Sequence, residues 1–232
     1  MREQLTAMMA GLKRGMNAAA DLIILNILML LCCLPVFTAG AAVVASYTCI
    51  MRLMRGGEPS FPAKAFLVEF RKAFPKATLA WLWVLLCIVL LAGDYYFAVY
   101  VNDPPNRFFL IFAITMAVVL MLGVIWLFPL MARFENTVRG HIKNALLMVV
   151  AAFPKTLSAM MVHLFFYLLP FFIPEMMLYL GWLWVLMGLT LPQYLTVSLF
   201  RQELACEPTL PEESEPGTKP KEEQSNDHNT LV

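Results

Sequence analysis

Long apolar stretches separated by short polar segments dominate the pattern along this chain. Five of these stretches approach or exceed the roughly 20 residues that an α-helix needs to cross a bilayer, and only a few charges fall inside them. A soluble domain cannot bury so much apolar surface, whereas a membrane stabilises it. The pattern therefore predicts an all-α fold, a polytopic transmembrane helical bundle. The predicted spans are 22–51, 77–101, 108–132, 156–174 and 176–200.

The first, third and fifth spans each contain a proline beside a bulky apolar residue, at Pro35, Pro129 and Pro192. Proline lacks the backbone N–H and crowds the preceding turn, so we expect a kink or break at each position. In a membrane such breaks persist only where protein or a wet cavity satisfies the freed carbonyl groups. Thr38 and Gly40 after Pro35 are small enough for close backbone approach to a helix or a ligand. Bending and helix packing are the favoured interpretations, and a cavity lining is the alternative.

The sequence Ala-Phe-Pro-Lys occurs twice, at 73–76 and at 152–155, each time before an apolar span. Each copy follows a basic segment, for which we expect a short helix at the inner membrane surface, over 64–74 and over 140–153. The proline of each copy then ends the surface helix and starts the next span. These matching surroundings indicate a possible internal duplication of a helix pair.

Lysine and arginine are concentrated in alternate connections between the spans. Segment 52–76 carries six cations and segment 133–155 carries four, whereas the other connections carry few. Cytoplasmic loops are enriched in such cations, so both segments and the C-terminus are predicted to be cytoplasmic. Five crossings then place the N-terminus outside, which its own cations oppose. Either 22–51 crosses once as a tilted or kinked helix, which we favour, or it dips in and returns at Pro35.

Both ends of the chain differ from its middle. Residues 1–19 place apolar side chains at nearly helical spacing, which predicts an interfacial amphipathic segment before the transmembrane domain of residues 20–201. This start also has features of a signal peptide, but cleavage near Ala45 would leave the basic segment 52–76 outside the cell. Residues 202–232 are rich in Pro, Glu, Ser and Lys and predict a disordered cytoplasmic tail.

Motifs for catalysis are missing from the sequence. It contains no Walker-type glycine loop, HExxH or GxSxG, and its five cysteines have no CxxC spacing. We therefore expect no enzymatic activity, no cofactor and no metal site. Polar residues inside the spans are the better candidates, because their burial must be compensated. Asn26 is expected to tie two helices together, and Gln193 beside Pro192 could line a cavity. His163 is a proton-sensitive candidate or, more in keeping with its apolar surroundings, a neutral histidine bonded to a neighbouring helix.

The stretch Leu25–Gly40, which reads LNILMLLCCLPVFTAG and is followed by small residues and Tyr47, has a distinctive order of residue types. It resembles the opening signature of the YesL-type family, small bacterial integral membrane proteins of unknown function. The matching positions are Leu34, Pro35, Val36, Thr38 and Gly40. The resemblance extends loosely over residues 15–200. It implies a companion of carbohydrate uptake systems in the bacterial cell membrane and supplies no catalytic residues.

Three functions remain open. The first is an accessory or regulatory component of a carbohydrate transport system, which docks on a permease or an ATPase subunit. The second is a small stand-alone transporter or channel, and the third is a structural protein that binds anionic lipid. All three place the chain in the lipid bilayer of the plasma membrane and none involves nucleic acid. The candidate contacts for a cytoplasmic partner or lipid are Arg71, Lys72, Lys76 and Lys155.

Overall fold

The structure, a computed structural model, describes residues 2–56, 62–101, 106–172 and 174–204, with backbone alone for part of the N-terminal helix and for the region around residue 173. All regular secondary structure among these residues is helical and none is strand, which confirms the predicted all-α class. The helices are α1 (Arg2–Cys33), α2 (Ala39–Met54), α3 (Pro62–Tyr96), α4 (Arg107–Arg133), α5 (Val138–Ala151), α6 (Phe153–Phe172), α7 (Pro174–Met187) and α8 (Thr190–Leu199).

Four helical segments among the described residues are long and apolar enough to cross a membrane: Gly15–Cys33, Val36–Met54, Pro62–Val101 and Arg107–Arg133. Two further helix pairs reach this length and composition only together. One is α5 with the first part of α6, bent by 103°, and the other is the end of α7 with α8, bent by 54°. Counting each bent pair as one span gives up to six candidate spans, so the predicted polytopic helical bundle is confirmed.

The predicted single crossing over 22–51 is replaced by a helical hairpin. Met29 in α1 and Ser46 in α2 both bond to the side chain of Gln193, at 3.4 and 2.6 Å. In one continuous helix these two residues would lie roughly 25 Å apart, at 1.5 Å per residue. Only a reversal of the chain between them satisfies both bonds. The helix ends at Cys33, and a 3₁₀ turn at Val36–Thr38 follows Pro35 before α2 begins.

Of the expected kink or break at the other two prolines, the structure shows no break, because Pro129 and Pro192 both lie within continuous helices. Pro129 lies inside α4, which continues to Arg133. Pro192 lies in the first turn of α8, where a backbone N–H has no partner within the helix and its loss therefore costs little. The interruption in the last span is instead at Gly188 and Leu189, between α7 and α8.

The two Ala-Phe-Pro-Lys segments adopt different conformations. Helix α3 runs from Pro62 through Pro75 to Tyr96 without interruption, so the expected separate surface helix over 64–74 is wrong. At the second copy, α5 ends at Ala151 and α6 begins at Phe153, with the chain bent by 103° between them. The same four residues therefore continue one helix and join two others.

The N-terminal residues belong to α1, because its backbone is helical from Arg2 to Cys33 and no separate interfacial helix precedes the span. Most of the predicted tail, 205–232, lies outside the described residues. The preceding residues pack onto the bundle, since the Arg133 Nε donates to the carbonyl oxygen of Leu204 at 3.0 Å.

Helix α2 lies at the centre of the bundle and packs against α1, α3, α4 and α8. Small residues make this possible, because Ala41 and Ala45 of α2 and Ala77 and Ala80 of α3 are fully buried. Helix α3 runs antiparallel to α4, as two ring contacts show. The ring centroids of Trp81 and Phe128 lie 6.0 Å apart near one end, and those of Phe97, just after α3, and Phe109 lie 5.7 Å apart near the other.

Candidate functional site

At the hairpin turn around Pro35, three backbone carbonyl groups accept hydrogen bonds from side chains. The Thr38 hydroxyl lies 2.5 Å from the carbonyl oxygen of Cys32 and 2.8 Å from that of Pro35, and it donates to this pair of acceptors. The indole Nε1–H of Trp81 in α3 donates to the carbonyl oxygen of Val36 at 2.7 Å. Non-helical backbone within a membrane is tolerated only with such partners. The turn therefore depends on Thr38 and Trp81.

Gly40 brings the start of α2 into direct contact with α3. A Cβ atom at this position would lie 2.7 Å from the carbonyl oxygen of Ala77 and would overlap the Cβ of Trp81. Because one of these neighbours is backbone and the other is the root of a large side chain, neither can yield cheaply. Pro35, Thr38 and Gly40 are thus placed together as parts of one turn that docks on α3, in keeping with the packing interpretation of these small residues.

Asn26 of α1 joins the two halves of the broken last span. Its Nδ2 donates to the carbonyl oxygen of Val185 near the end of α7, at 2.6 Å. Its Oδ1 accepts from the backbone N–H groups of Leu189 and Thr190, both at 3.0 Å, and from the Thr190 hydroxyl at 3.3 Å. Leu189 precedes α8 and has no capping side chain of its own. Asn26 therefore caps α8 from another helix.

Gln193 extends this group of buried polar residues to α2. Its Oε1 accepts from the Ser46 hydroxyl at 2.6 Å, and its Nε2 donates to the Met29 sulfur at 3.4 Å. We call Asn26, Ser46, Thr190 and Gln193 the polar cluster; all four are at most 2% exposed. Their bonds link α1, α2, α7 and α8, so the cluster holds the four helices together.

His163 in α6 is 8% exposed, and its Nδ1 donates to the carbonyl oxygen of Ala159, 2.9 Å away on the same helix. Its ring also lies edge-on to Tyr167, one turn further along α6. Nδ1 therefore bonds within α6 and not, as expected from the sequence, to a neighbouring helix. Within the described part of the chain, no three His, Cys, Asp or Glu side chains come close enough together to hold a metal ion.

The candidate cations fall into two environments. Arg71, Lys72 and Lys76 are exposed on the first half of α3. Lys72 pairs weakly with Glu69 at 3.3 Å, while Arg71 and Lys76 form no ion pair with a described residue. Lys155 is different, because its Nζ lies 2.6 Å from Glu203 and 3.2 Å from the Gln202 side-chain oxygen. Lys155 thus attaches the chain after α8 to the start of α6.

Several anchoring residues were not among the sequence candidates. The Trp126 indole N–H in α4 donates to the Thr156 hydroxyl of α6 at 2.7 Å, and its ring stacks on Phe200 with centroids 3.8 Å apart. Trp81 and Ser46 were also missed. Tryptophan and serine are common in membrane helices, so their presence alone does not mark them as anchors. Their role is evident only from their hydrogen-bond partners, which lie far away in the sequence.

A family model described as a protein of unknown function, DUF624, matches residues 22–95. The matched region covers less than half of the chain and contains the C-terminal part of α1, the hairpin turn, α2 and nearly all of α3. No curated protein and no solved structure matches the chain. Over the hairpin and the helix on which it docks, the chain is thus similar to an uncharacterised family, DUF624.

Proposed function

We propose that the protein is a non-enzymatic accessory or regulatory component of a carbohydrate transport system in a bacterial plasma membrane. The observation that carries this proposal is the exposed face of the first half of α3. We call Arg71, Lys72 and Lys76 the basic face; the exposed apolar side chains Leu67 and Phe74 lie beside it. Cations mixed with exposed apolar side chains are suited to a docking surface for an acidic protein partner.

The charges of this face are available to a partner. The only described carboxylate that pairs with it is Glu69, and Glu69 also accepts from Arg52 at 2.9 Å. One carboxylate therefore faces two cations, while Arg71 and Lys76 carry no described counter-ion. Complementary charge on a partner would speed its association and fix its orientation.

The hairpin supports a cytoplasmic location for the basic face. Because α1 and α2 reverse direction, their open ends at residues 15 and 54 share one side of the membrane, whether the hairpin crosses fully or only in part. The cations of the N-terminus and of segment 52–76 then lie on the same side, as the positive-inside tendency favours. An even number of crossings, such as the upper count of six candidate spans, supports a C-terminus on that side too.

The polar cluster favours the accessory role over a stand-alone transporter. The side chains of Asn26, Ser46 and Gln193 bond to other helices of the same chain. Polar groups that bind a transported substrate must instead exchange partners during transport. A polar centre that is fully engaged in helix contacts supports a packing role.

The YesL-type resemblance of Leu25–Gly40 adds the transport context to this proposal. Its matching residues Pro35, Thr38 and Gly40 build the hairpin turn, so the resemblance supports a shared scaffold. The association of that family with carbohydrate uptake then suggests a permease or an ATPase subunit as the partner.

The test is affinity purification from the native membrane in mild detergent, with mass spectrometry of the proteins recovered. We expect a permease or ATPase subunit in near-stoichiometric amount. Charge reversal of the basic face (Arg71→Glu, Lys72→Glu, Lys76→Glu) should abolish its recovery. The matched control keeps every charge (Arg71→Lys, Lys72→Arg, Lys76→Arg). Both variants are first checked for correct insertion, since cations also direct topology. Undiminished recovery with a correctly inserted charge-reversed variant would overturn the proposal.

A further inference from the structure

An apolar groove with a volume of about 860 Å³ lies between α3, α4 and α5. Its walls include Leu79, Leu91, Phe112 and Leu146, and several of its lining side chains are exposed, so the groove opens to the surroundings. Two of its three walls, α3 and α4, are helices long and apolar enough to cross a membrane. We therefore expect lipid hydrocarbon to be the medium in contact with this groove.

The groove has the length of an acyl chain segment in one leaflet. Along α3 it extends from Leu79 to Leu91, roughly 18 Å at 1.5 Å per residue. One leaflet contributes about half of the roughly 30 Å hydrocarbon core. The antiparallel register of α3 and α4 places Leu79 and Leu127 at one end of the groove and Leu91 and Phe112 at the other.

A single cation marks one end of the groove. Among the described residues that line it, Arg139 alone is charged. Arg139 lies in the first turn of α5, which follows the end of α4, and so belongs to the Leu79–Leu127 end. Its side chain is exposed and forms no ion pair with a described carboxylate. Lys76, also exposed, lies one turn before Ala80 on the same wall.

We propose that this groove binds an anionic glycerophospholipid, with an acyl chain along α3 and α4 and the phosphate at Arg139. The guanidinium of Arg139 forms paired hydrogen bonds with a phosphate. In a zwitterionic headgroup, the ammonium repels the guanidinium and offsets part of this gain. The charge of the site therefore favours an anionic headgroup. The apolar walls select the chain. None of the residues of the basic face lines the groove itself, although Lys76 lies near one end of it, and the proposal does not depend on the accessory role.

The experiment is native mass spectrometry of the full chain, delipidated in detergent and titrated with phosphatidylglycerol or with phosphatidylcholine of the same acyl chains. We expect phosphatidylglycerol to bind more tightly. Arg139→Gln should weaken phosphatidylglycerol about fivefold and leave phosphatidylcholine unchanged, as for one cation near a lipid surface. Arg71→Gln, which removes a cation outside the groove, is the control and should change neither lipid.

A second pair of variants tests the groove itself. A Cβ at Gly123 would meet Leu146 at an ordinary 3.7 Å, so Gly123→Phe places its ring in the groove without a backbone clash. It should reduce retention of phosphatidylglycerol at least fivefold. Gly93→Phe, at a position with open space around it, should not. Equal affinity for the two lipids, an unchanged Arg139→Gln, or a lipid-free dimer that covers the groove would each overturn the proposal.

Discussion

The central helix α2 and the peripheral helix α4 differ in a way that reverses the rule for soluble proteins. In the apolar window of α2, 61% of residues are buried, against 11% in that of α4. Yet α2 is rich in small and polar residues, including Gly40 and Ser46, whereas α4 carries large apolar side chains such as Phe112 and Met116. Lipid solvates large apolar groups well, so helices associate through close backbone contact and polar bonds instead. The less apolar helix is therefore the one at the centre.

The largest expected effect is an all-or-none difference in thiol labelling, which reports the side of the membrane on which the start of α1 lies. If α1 and α2 form a hairpin, Asn17, near the start of the apolar part of α1, and Asn106, just before α4, lie on opposite sides. We expect a cysteine at 17 to react with an impermeant thiol reagent only in opened membranes, and a cysteine at 106 to react in intact cells. The background replaces Cys32, Cys33, Cys49, Cys87 and Cys206 by serine.

A single crossing over 22–51 would reverse the outcome for Asn17 and leave Asn106 unchanged. Labelling of both positions in intact cells would therefore contradict the hairpin. The position at 106 serves as the internal standard, because both the five-crossing and the hairpin interpretations place it outside.

The next largest effect is expected at Gly40, where α2 packs against α3 without room for a side chain. Gly40→Leu forces a side chain into the Ala77 carbonyl and Trp81, and we expect it to destabilise the fold by at least about 3 kcal/mol. The measurement is the unfolding midpoint in a denaturing-detergent titration. Gly93→Leu, on the part of α3 with open space, should change the midpoint little. Equal losses would show that overpacking at α2 is not the cause.

A smaller loss is expected when the cap on α8 is removed. Asn26→Leu keeps a similar side-chain volume but leaves the backbone N–H groups of Leu189 and Thr190 and the carbonyl of Val185 without their partner. We expect a destabilisation of about 2 kcal/mol in the same titration. Thr115→Val on α4 removes only a bond to the helix's own Ile111 carbonyl and should be nearly neutral. A neutral Asn26→Leu would contradict the capping role.

The sequence predicts the helical membrane class, because span length and hydropathy are local properties. It also predicts that Asn26 joins helices, since an amide in an apolar helix needs a partner. It offers a return of the chain at Pro35 only as the alternative, because a mostly apolar stretch of thirty residues also fits one tilted crossing. The partners that decide, Trp81 and Gln193, lie far along the chain from Val36 and Met29. The break at Gly188 was assigned to Pro192 because a proline was treated as a breaker without regard to its place in the first turn.

The smallest effect separates the lysines that end the two Ala-Phe-Pro-Lys segments. Lys155 pairs with Glu203 at 2.6 Å, whereas Lys76 has no described ion-pair partner. Lys155→Gln should therefore destabilise the fold by about 0.5 kcal/mol, typical of a partly exposed pair, and the exchange Lys155→Glu with Glu203→Lys should restore part of it. Lys76→Gln should leave the unfolding midpoint unchanged and reduce partner recovery instead. If Lys155→Gln and Lys76→Gln had the same effect on the unfolding midpoint and on partner recovery, the different conformations of the two segments would not determine what their lysines do.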